Sequence, residues 1–284
     1  MSIPRRFIQI YVREASSGLP PLAKAAMTNL RLLHPDWEHL FFDDLEVSRF
    51  MASESPLHQS VFNGFRYPIQ RFDFFRYLAI FRLGGFYFDL DVLLSRPISD
   101  LTCYEAVFPF EELTLSRYLR RQYGMDWEIG NYGFGAVAGH PLIKAIIQNC
   151  VRAQREPNWI EPMMQGIPRF FRSWFYVLNT TGPGLVSRTL AENLDLVPDV
   201  TILFPDDVCD ERNWHQFGNF GVHVQGASWR SKDGYFRRRL ANLWQSWARR
   251  RVLRESRARG KSRSIPRSST LGCQSSVTSF TPIR

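Results

Sequence analysis

Residues Phe86–Leu94 read F-Y-F-D-L-D-V-L-L, directly behind Gly84-Gly85. An apolar run with aromatic residues after a Gly-Gly break reads as a buried strand. Side chains alternate along a strand, so Asp89 and Asp91 are expected on one face. Two carboxylates there repel each other and are costly unless a positive group neutralises them. The natural partner is a hard divalent cation, Mg²⁺ or Mn²⁺, shared with a phosphate-bearing substrate. The stretch points to an enzyme.

The chain around it alternates strand and helix. Phe7 to Val12 reads as a first strand. Leu19 to Leu33 has helical spacing behind Pro20-Pro21, and His39 to Phe42 is a short strand ended by Asp43-Asp44. Pro68 opens a second helix, which carries Asp73 and Arg76 and stops at Gly84-Gly85. This β-α-β-α-β order predicts a Rossmann-like α/β sheet with the acidic pair at the carboxyl edge, where open sheets bind ligands. Residues 104–140 look turn-rich up to a glycine-flanked strand at Gly130–Val137. A helix is expected at Pro141–Arg152, a lid or acceptor loop at 155–184, a helix at 185–194, and strands at 200–204 and Gly221–Trp229.

The net charge of +9 is unevenly placed. Residues 237–284 hold 13 Lys+Arg and one Asp+Glu, leaving 23 basic and 26 acidic residues in 1–236. The body is slightly acidic, so a specific nucleic-acid footprint is not expected. Residues 1–233 read as one folded domain and 234–255 as a basic amphipathic helix presenting Phe236, Leu240, Leu243, Trp244 and Trp247. The Ser/Arg-rich stretch 256–284 reads as a disordered tail. The helix is expected either to pack on the body or to lie on an anionic membrane surface. Four scattered cysteines, no signal-peptide pattern and no run near the roughly 20 apolar residues of a membrane span predict a cytoplasmic protein, peripheral at most.

Asp73 and Arg76 lie three apart and share a helix face, as a surface ion pair or as a buried pair serving a ligand. His223 is structural or completes a metal shell begun by Asp91. Trp229 is core or donates its indole N–H to a phosphate. A D-x-D after an apolar strand also opens phosphohydrolases of the haloacid-dehalogenase type, with Asp89 as nucleophile. That motif wants Thr or Val where Leu93 stands. A non-catalytic carbohydrate- or membrane-binding module is a third reading.

Taken together, Ile3-Pro4-Arg5, Gln9–Tyr11 and the D-x-x-R-Y…G-G-x-Y-x-D-x-D stretch from Asp73 to Asp91 resemble the DXD-containing sugar-binding-region glycosyltransferases (glycosyltransferase family 32, related to the glucosylating clostridial toxin core). Asn131, Thr181-Gly182-Pro183, and His223 with Ser228-Trp229 fall in that family's order. The resemblance implies a GT-A fold and a metal-dependent retaining transfer from a nucleotide sugar, UDP- or GDP-linked and UDP by preference. The implied acceptor is a glycan or lipid-linked glycan of a capsule, lipopolysaccharide or other surface polysaccharide. It assigns Asp91, His223 and Ser228 to the metal, and Asp89 to donor hydroxyls and, through water, the metal. Asp73 and Arg76 would hold the donor sugar, Tyr11 the base, Trp229 the diphosphate, and Asn131 the donor sugar or acceptor. The family usually has His-Gln and then Trp in the first strand, where this chain has Ile8-Gln9 and Tyr11.

Overall fold

The computed structural model describes residues 1–11, 18–194, 199–224 and 235–258, with side chains in the last segment described for 243–255. Three parallel strands form one half of a seven-stranded sheet: β1 (Arg6–Ile10) lies between β2 (Glu38–Phe42) and β3 (Gly85–Phe88). The other half is mostly antiparallel. There β7 (Gly133–Ala136) pairs β3 and β5 (Ala106–Leu113), and β5 also takes β6 (Trp127–Ile129) and, in parallel, β8 (Val200–Leu203). A small second sheet joins β4 (Val92–Leu94), β10 (Gly221–His223) and β9 (Gln216–Phe217). The expected Rossmann-like α/β sheet is present.

Both faces of the large sheet are covered, which is why its strands read as continuous apolar runs rather than alternating ones. Ile8 and Tyr87 enter a core shared with α4 (Pro68–Leu83), α6 (Pro141–Arg155) and α8 (Pro183–Glu192). Phe7, Phe86 and Phe88 point the other way, onto Leu30 of α1 (Pro21–Leu33) and onto the small sheet. Gly84 ends α4 at φ +64°, and Gly85 follows at φ +111°. A Cβ on Gly85 would lie 2.8 Å from the Arg6 carbonyl, so only glycine lets β3 start against β1.

Several sequence expectations need correction. Phe86–Leu94 is not one strand: β3 stops at Phe88, a turn closes as the Val92 N–H donates to the Asp89 carbonyl at 3.2 Å, and β4 joins the other sheet. The acidic pair therefore sits in a turn between two sheets. The expected β-α-β-α-β order lacked α2 (Asp44–Ala52) and α3 (Pro56–Gly64). The first is announced by a capping box: Asp43 accepts from the Leu45 and Glu46 N–H groups while Glu46 reaches back to the Asp43 N–H. Within the turn-rich stretch lies the eight-residue β5, disguised by Pro109. Its carbonyl accepts from Gly130 N–H, and the β5–β6 register shifts just beyond it, as proline in a sheet requires. The expected loop at 155–184 contains α7 (Arg172–Thr180) and buries Trp159, Met163, Met164 and Trp174.

The C-terminal helix forms as α9 (Tyr235–Ala258). Its inward residues are Trp244, against Phe171 and Phe175, and Val252 and Leu253, which are buried. Leu243 and Trp247, read as part of its apolar face, are 59% and 60% exposed. No helix among the described residues is long and apolar enough to cross a membrane.

Candidate metal and nucleotide-sugar site

Parallel pairing puts the ends of β1, β2 and β3 on one sheet edge, and antiparallel β7 begins there. Asp89 leaves β3 at this edge, anchored by its N–H to the Tyr132 carbonyl at 2.7 Å. Alternation from Tyr87 aims Asp89 toward α4, and the Tyr87 hydroxyl donates to its Oδ1 at 2.5 Å. Asp91, two residues on, is met from the small sheet. Its carbonyl accepts from Val224 N–H, and the β4–β10 register of Val92 opposite His223 brings His223 Nε2 to 3.2 Å from Asp91 Oδ1.

Behind this turn lies Arg76, 4% exposed. It contacts Asp73 at 3.0 Å and Asp89 at 3.1 Å, donates to the Asn131 carbonyl at 2.8 Å, and lies 4.5 Å over the Tyr87 ring. The Asp73 and Arg76 pair is thus buried, not superficial. Asp73 accepts further from the Thr181 hydroxyl at 2.8 Å and the Asn131 amide at 3.3 Å. Burial pushes its carboxyl up to about 6, with Arg76 and Thr181 pulling the other way. Burial also raises Asp89, opposed by Arg76 and reinforced by Asp91. Arg76 stays charged: burial opposes its charge, but Asp89 and its other neighbours outweigh that.

His223 stacks on Tyr132, ring centroids 4.4 Å apart and 16° from parallel. Its backbone N–H donates to the His215 carbonyl at 2.9 Å. His215 in turn pairs through Nδ1 with Glu111 at 3.1 Å, and it holds φ +60°, a strained region for a residue with a Cβ. Burial works against a charged His223, but the Asp91 hydrogen bond and the charges of Asp89, Asp91 and Glu111 outweigh it and raise its pKa. Glu111 is half-buried yet held low, because His215, His223 and Arg249 outweigh desolvation.

One donor atom each from Asp89, Asp91 and His223 lies within 4.8 Å of the others. Two carboxylate oxygens and an imidazole nitrogen form a donor set that suits Mn²⁺ or Mg²⁺, with the nitrogen favouring the softer Mn²⁺. The carboxylates face Arg76 and an imidazole, leaving room for further positive charge. The residues present fit the ion.

Of the residues named from sequence, Asp73, Arg76, Asp89, Asp91, Asn131 and His223 converge. Asn131 bridges two of them and also donates to the Tyr77 hydroxyl at 2.9 Å. Tyr11 follows directly after β1 at the same edge, half-buried, with its N–H on the Phe42 carbonyl. Among the described residues it contacts none of the carboxylates. Ser228 and Trp229 lie outside the described residues. Tyr87, Tyr132, Glu111 and His215 were given no role from the sequence. Tyr87 hides inside an aromatic run, Glu111 lies on the strand that Pro109 disguised, and Tyr132 and His215 acquire partners only through tertiary contacts.

A family model described as a glycosyltransferase sugar-binding region containing a DXD motif matches residues 20–108. The resemblance read from the motifs, and the GT-A type of α/β fold that it implies, are borne out. An inositol phosphoceramide mannosyltransferase of Schizosaccharomyces pombe is 26% identical over 75% of this chain and 52% of its own length. A mannosyl phosphorylinositol ceramide synthase of Saccharomyces cerevisiae is 26% identical over 74% of this chain and 49% of its own. The chain spans about half the length of these relatives. Among solved structures, the PaToxG glycosyltransferase covers 68% of this chain and 71% of its own at 13% identity, with a TM-score of 0.45.

Proposed function

Because residues 20–108 carry the DXD sugar-binding region of glycosyltransferases, we propose that the chain moves a sugar from a nucleotide-sugar donor to a lipid- or glycan-borne acceptor. The observation that carries this reading is the convergence of Asp89, Asp91 and His223 at the carboxyl edge of the sheet. A divalent cation held there would act as a Lewis acid on the leaving diphosphate. Asp91, Asp89 and His223 would hold the ion, Mn²⁺ by preference. Ser228 as a further ligand, Trp229 at the diphosphate and Tyr11 at the base rest on the resemblance, as does retention of configuration. The resemblance gives Arg76 to the donor sugar; its guanidinium is 4% exposed and engaged by Asp73, Asp89 and the Asn131 carbonyl, so its part is to fix Asp89 in the acidic turn. Asp73 is 4% exposed with both oxygens occupied, so it acts by positioning Arg76 and Asn131.

The relatives are named for mannosyl transfer to phosphorylinositol ceramide. Mannose is therefore the first donor sugar to test, GDP- and UDP-linked, and a phosphoinositol lipid the first acceptor, ahead of the surface polysaccharide that the motifs alone favoured. In this reading residues 1–233 form the transferase unit, and 234–284 contact an anionic membrane surface peripherally.

The test is nucleotide release from a panel of UDP- and GDP-sugars, with phosphoinositol lipid, in Mn²⁺ and in EDTA, for the natural chain and Asp91→Asn. Release that needs metal and disappears in the variant is the expected result. Metal-dependent phosphate release from simple phosphoesters, lost in Asp89→Asn, would instead establish a phosphohydrolase. The structure disfavours that role, since Asp89 Oδ1 is engaged by both Arg76 and Tyr87.

A further inference from the structure

Away from the acidic turn, α9 and the body enclose a cleft of about 380 Å³. That is within the size range of small-ligand sites. One wall is α5 (Arg117–Gln122) and the residues just before it; another is Gln165–Ile167; the third is α9. Its apolar lining includes Ile167, Trp244 and Val252, and Trp247 stands at its side, 60% exposed.

Four arginines, Arg117, Arg120, Arg121 and Arg251, face this space against one carboxylate, Glu255. Glu255 already pairs with Arg120 and Arg251, each at 2.9 Å. Arg117 and Arg121 are exposed and make no ion pair among the described residues. Arg117 lies along Gly166, which holds φ +83°, and a Cβ there would come within 3.2 Å of its Nε. The glycine thus leaves room for the guanidinium at the wall. Two guanidinium groups without an ion-pair partner among the described residues, beside the indoles of Trp244 and Trp247, suit a phosphate.

The surroundings identify where that phosphate is carried. Leu243 and Trp247 lie four residues apart, so they share one side of α9, and both are mostly exposed. Phe170, just beyond the Gln165–Ile167 wall, is 54% exposed. Exposed bulky apolar side chains beside clustered arginines match the requirements of a membrane interface, where tryptophan enters the headgroup layer and arginine meets lipid phosphates. Meanwhile Trp244, Val252 and the Arg249–Glu112 ion pair hold α9 to the body. The helix is both packed and available.

We propose that this cleft docks the phosphate-bearing headgroup of an anionic membrane lipid, with Leu243 and Trp247 entering the interface. This extends the reading of a lipid-borne acceptor and gives the surface contact a definite site.

The test is co-sedimentation of the full chain with vesicles of phosphatidylcholine, with and without phosphatidylinositol. The variants are Arg117→Glu/Arg121→Glu, Trp247→Ser, and a charge-matched control in the tail, Arg263→Glu/Arg267→Glu. The cleft double variant should lose at least about tenfold in affinity for phosphatidylinositol vesicles, since each arginine at the surface contributes separately. The tail control should lose clearly less. Trp247→Ser should weaken binding while leaving its salt dependence in place. Soluble inositol phosphate should compete; competition by inorganic phosphate at equal concentration would show a free-anion site and overturn the lipid assignment. Equal losses in the cleft and tail variants would overturn it too, showing undirected charge attraction. Far-ultraviolet circular dichroism checks folding, and Arg117→Gln/Arg121→Gln gives a milder change in the same direction. No donor sugar is present, so a negative result here leaves nucleotide release to judge the transferase reading separately.

Discussion

Replacing Arg76 by methionine removes the cation between buried Asp73 and half-buried Asp89 while keeping a long, flexible side chain in its space. Arg76 is 4% exposed and contacts Asp73 at 3.0 Å, Asp89 at 3.1 Å, the Asn131 carbonyl at 2.8 Å and the Tyr87 ring at 4.5 Å. Breaking a buried ion pair from one side costs about 3–5 kcal/mol, because the partner's charge is left uncompensated. The cost must depend on pH in a definite sense. Asp73 is already pushed up to about 6. A carboxyl raised in the folded state contributes stability fully present below its unfolded pKa, near 4, and lost as pH rises through the folded value. Without Arg76 the folded values of Asp73 and Asp89 rise further. The deficit of Arg76→Met relative to the natural chain is therefore small near pH 4 and grows through pH 6 toward pH 8. Urea unfolding followed by circular dichroism at pH 5 and pH 8 measures it. Arg76→Lys should recover part of the loss, since a point charge cannot reach all three acceptors at once. An equal deficit at both pH values would show that Arg76 contributes packing alone and would refute the buried-charge account.

Saturating Mn²⁺ at about 100 times its Kd should stabilise the protein by about 2.7 kcal/mol, and Asp91→Asn should abolish the shift in a thermal melt; an unshifted natural chain would count against the ion site. Glu128 is pushed up to about 8 by burial, with Glu112 and Glu111 adding to it. Its stabilising share is lost as pH rises through that value, so Glu128→Gln should match the natural chain at pH 5 and exceed it in Tm at pH 9. A Tm difference that is the same at both pH values would refute this. A Cβ on Gly135 would lie 2.4 Å from the fully buried Phe86 ring. Gly135→Ala should therefore cost about 1–3 kcal/mol in urea unfolding, and a cost under about 0.5 kcal/mol would show that the ring moves aside.

Much of the architecture was legible where one local rule acts alone. Pro68 and Gly84-Gly85 bracket α4 in the sequence as in the structure. The asymmetry of proline at a helix start and glycine at its end needs no tertiary help. The spacing of Asp73 and Arg76 put them on one face, and they are on one face. Elsewhere two rules competed. Pro109 argues against a strand, yet β5 runs through it because its carbonyl still pairs and the register shifts just after it. The capping box at Asp43–Glu46 was readable, but the short helix behind it carries too weak an apolar stripe to stand out.

The aspartates show where local reading ends. Their identity, their spacing and the apolar run before them announced a charged site needing a cation, because unpaired carboxylates cannot be left beside a core. The geometry, though, is not that of one strand face. Asp89 leaves the large sheet and Asp91 leads into the small one. They meet because β10, more than a hundred residues later, pairs with β4 and delivers His223 to Asp91. Arg76 reaches the pair from a helix, and Thr181 reaches Asp73 from the end of another. Side-chain chemistry and short-range spacing are properties of the chain. The approach of His223 to Asp91, the burial of Arg76 and the cleft beneath α9 arise from long-range pairing and packing, which no local window contains.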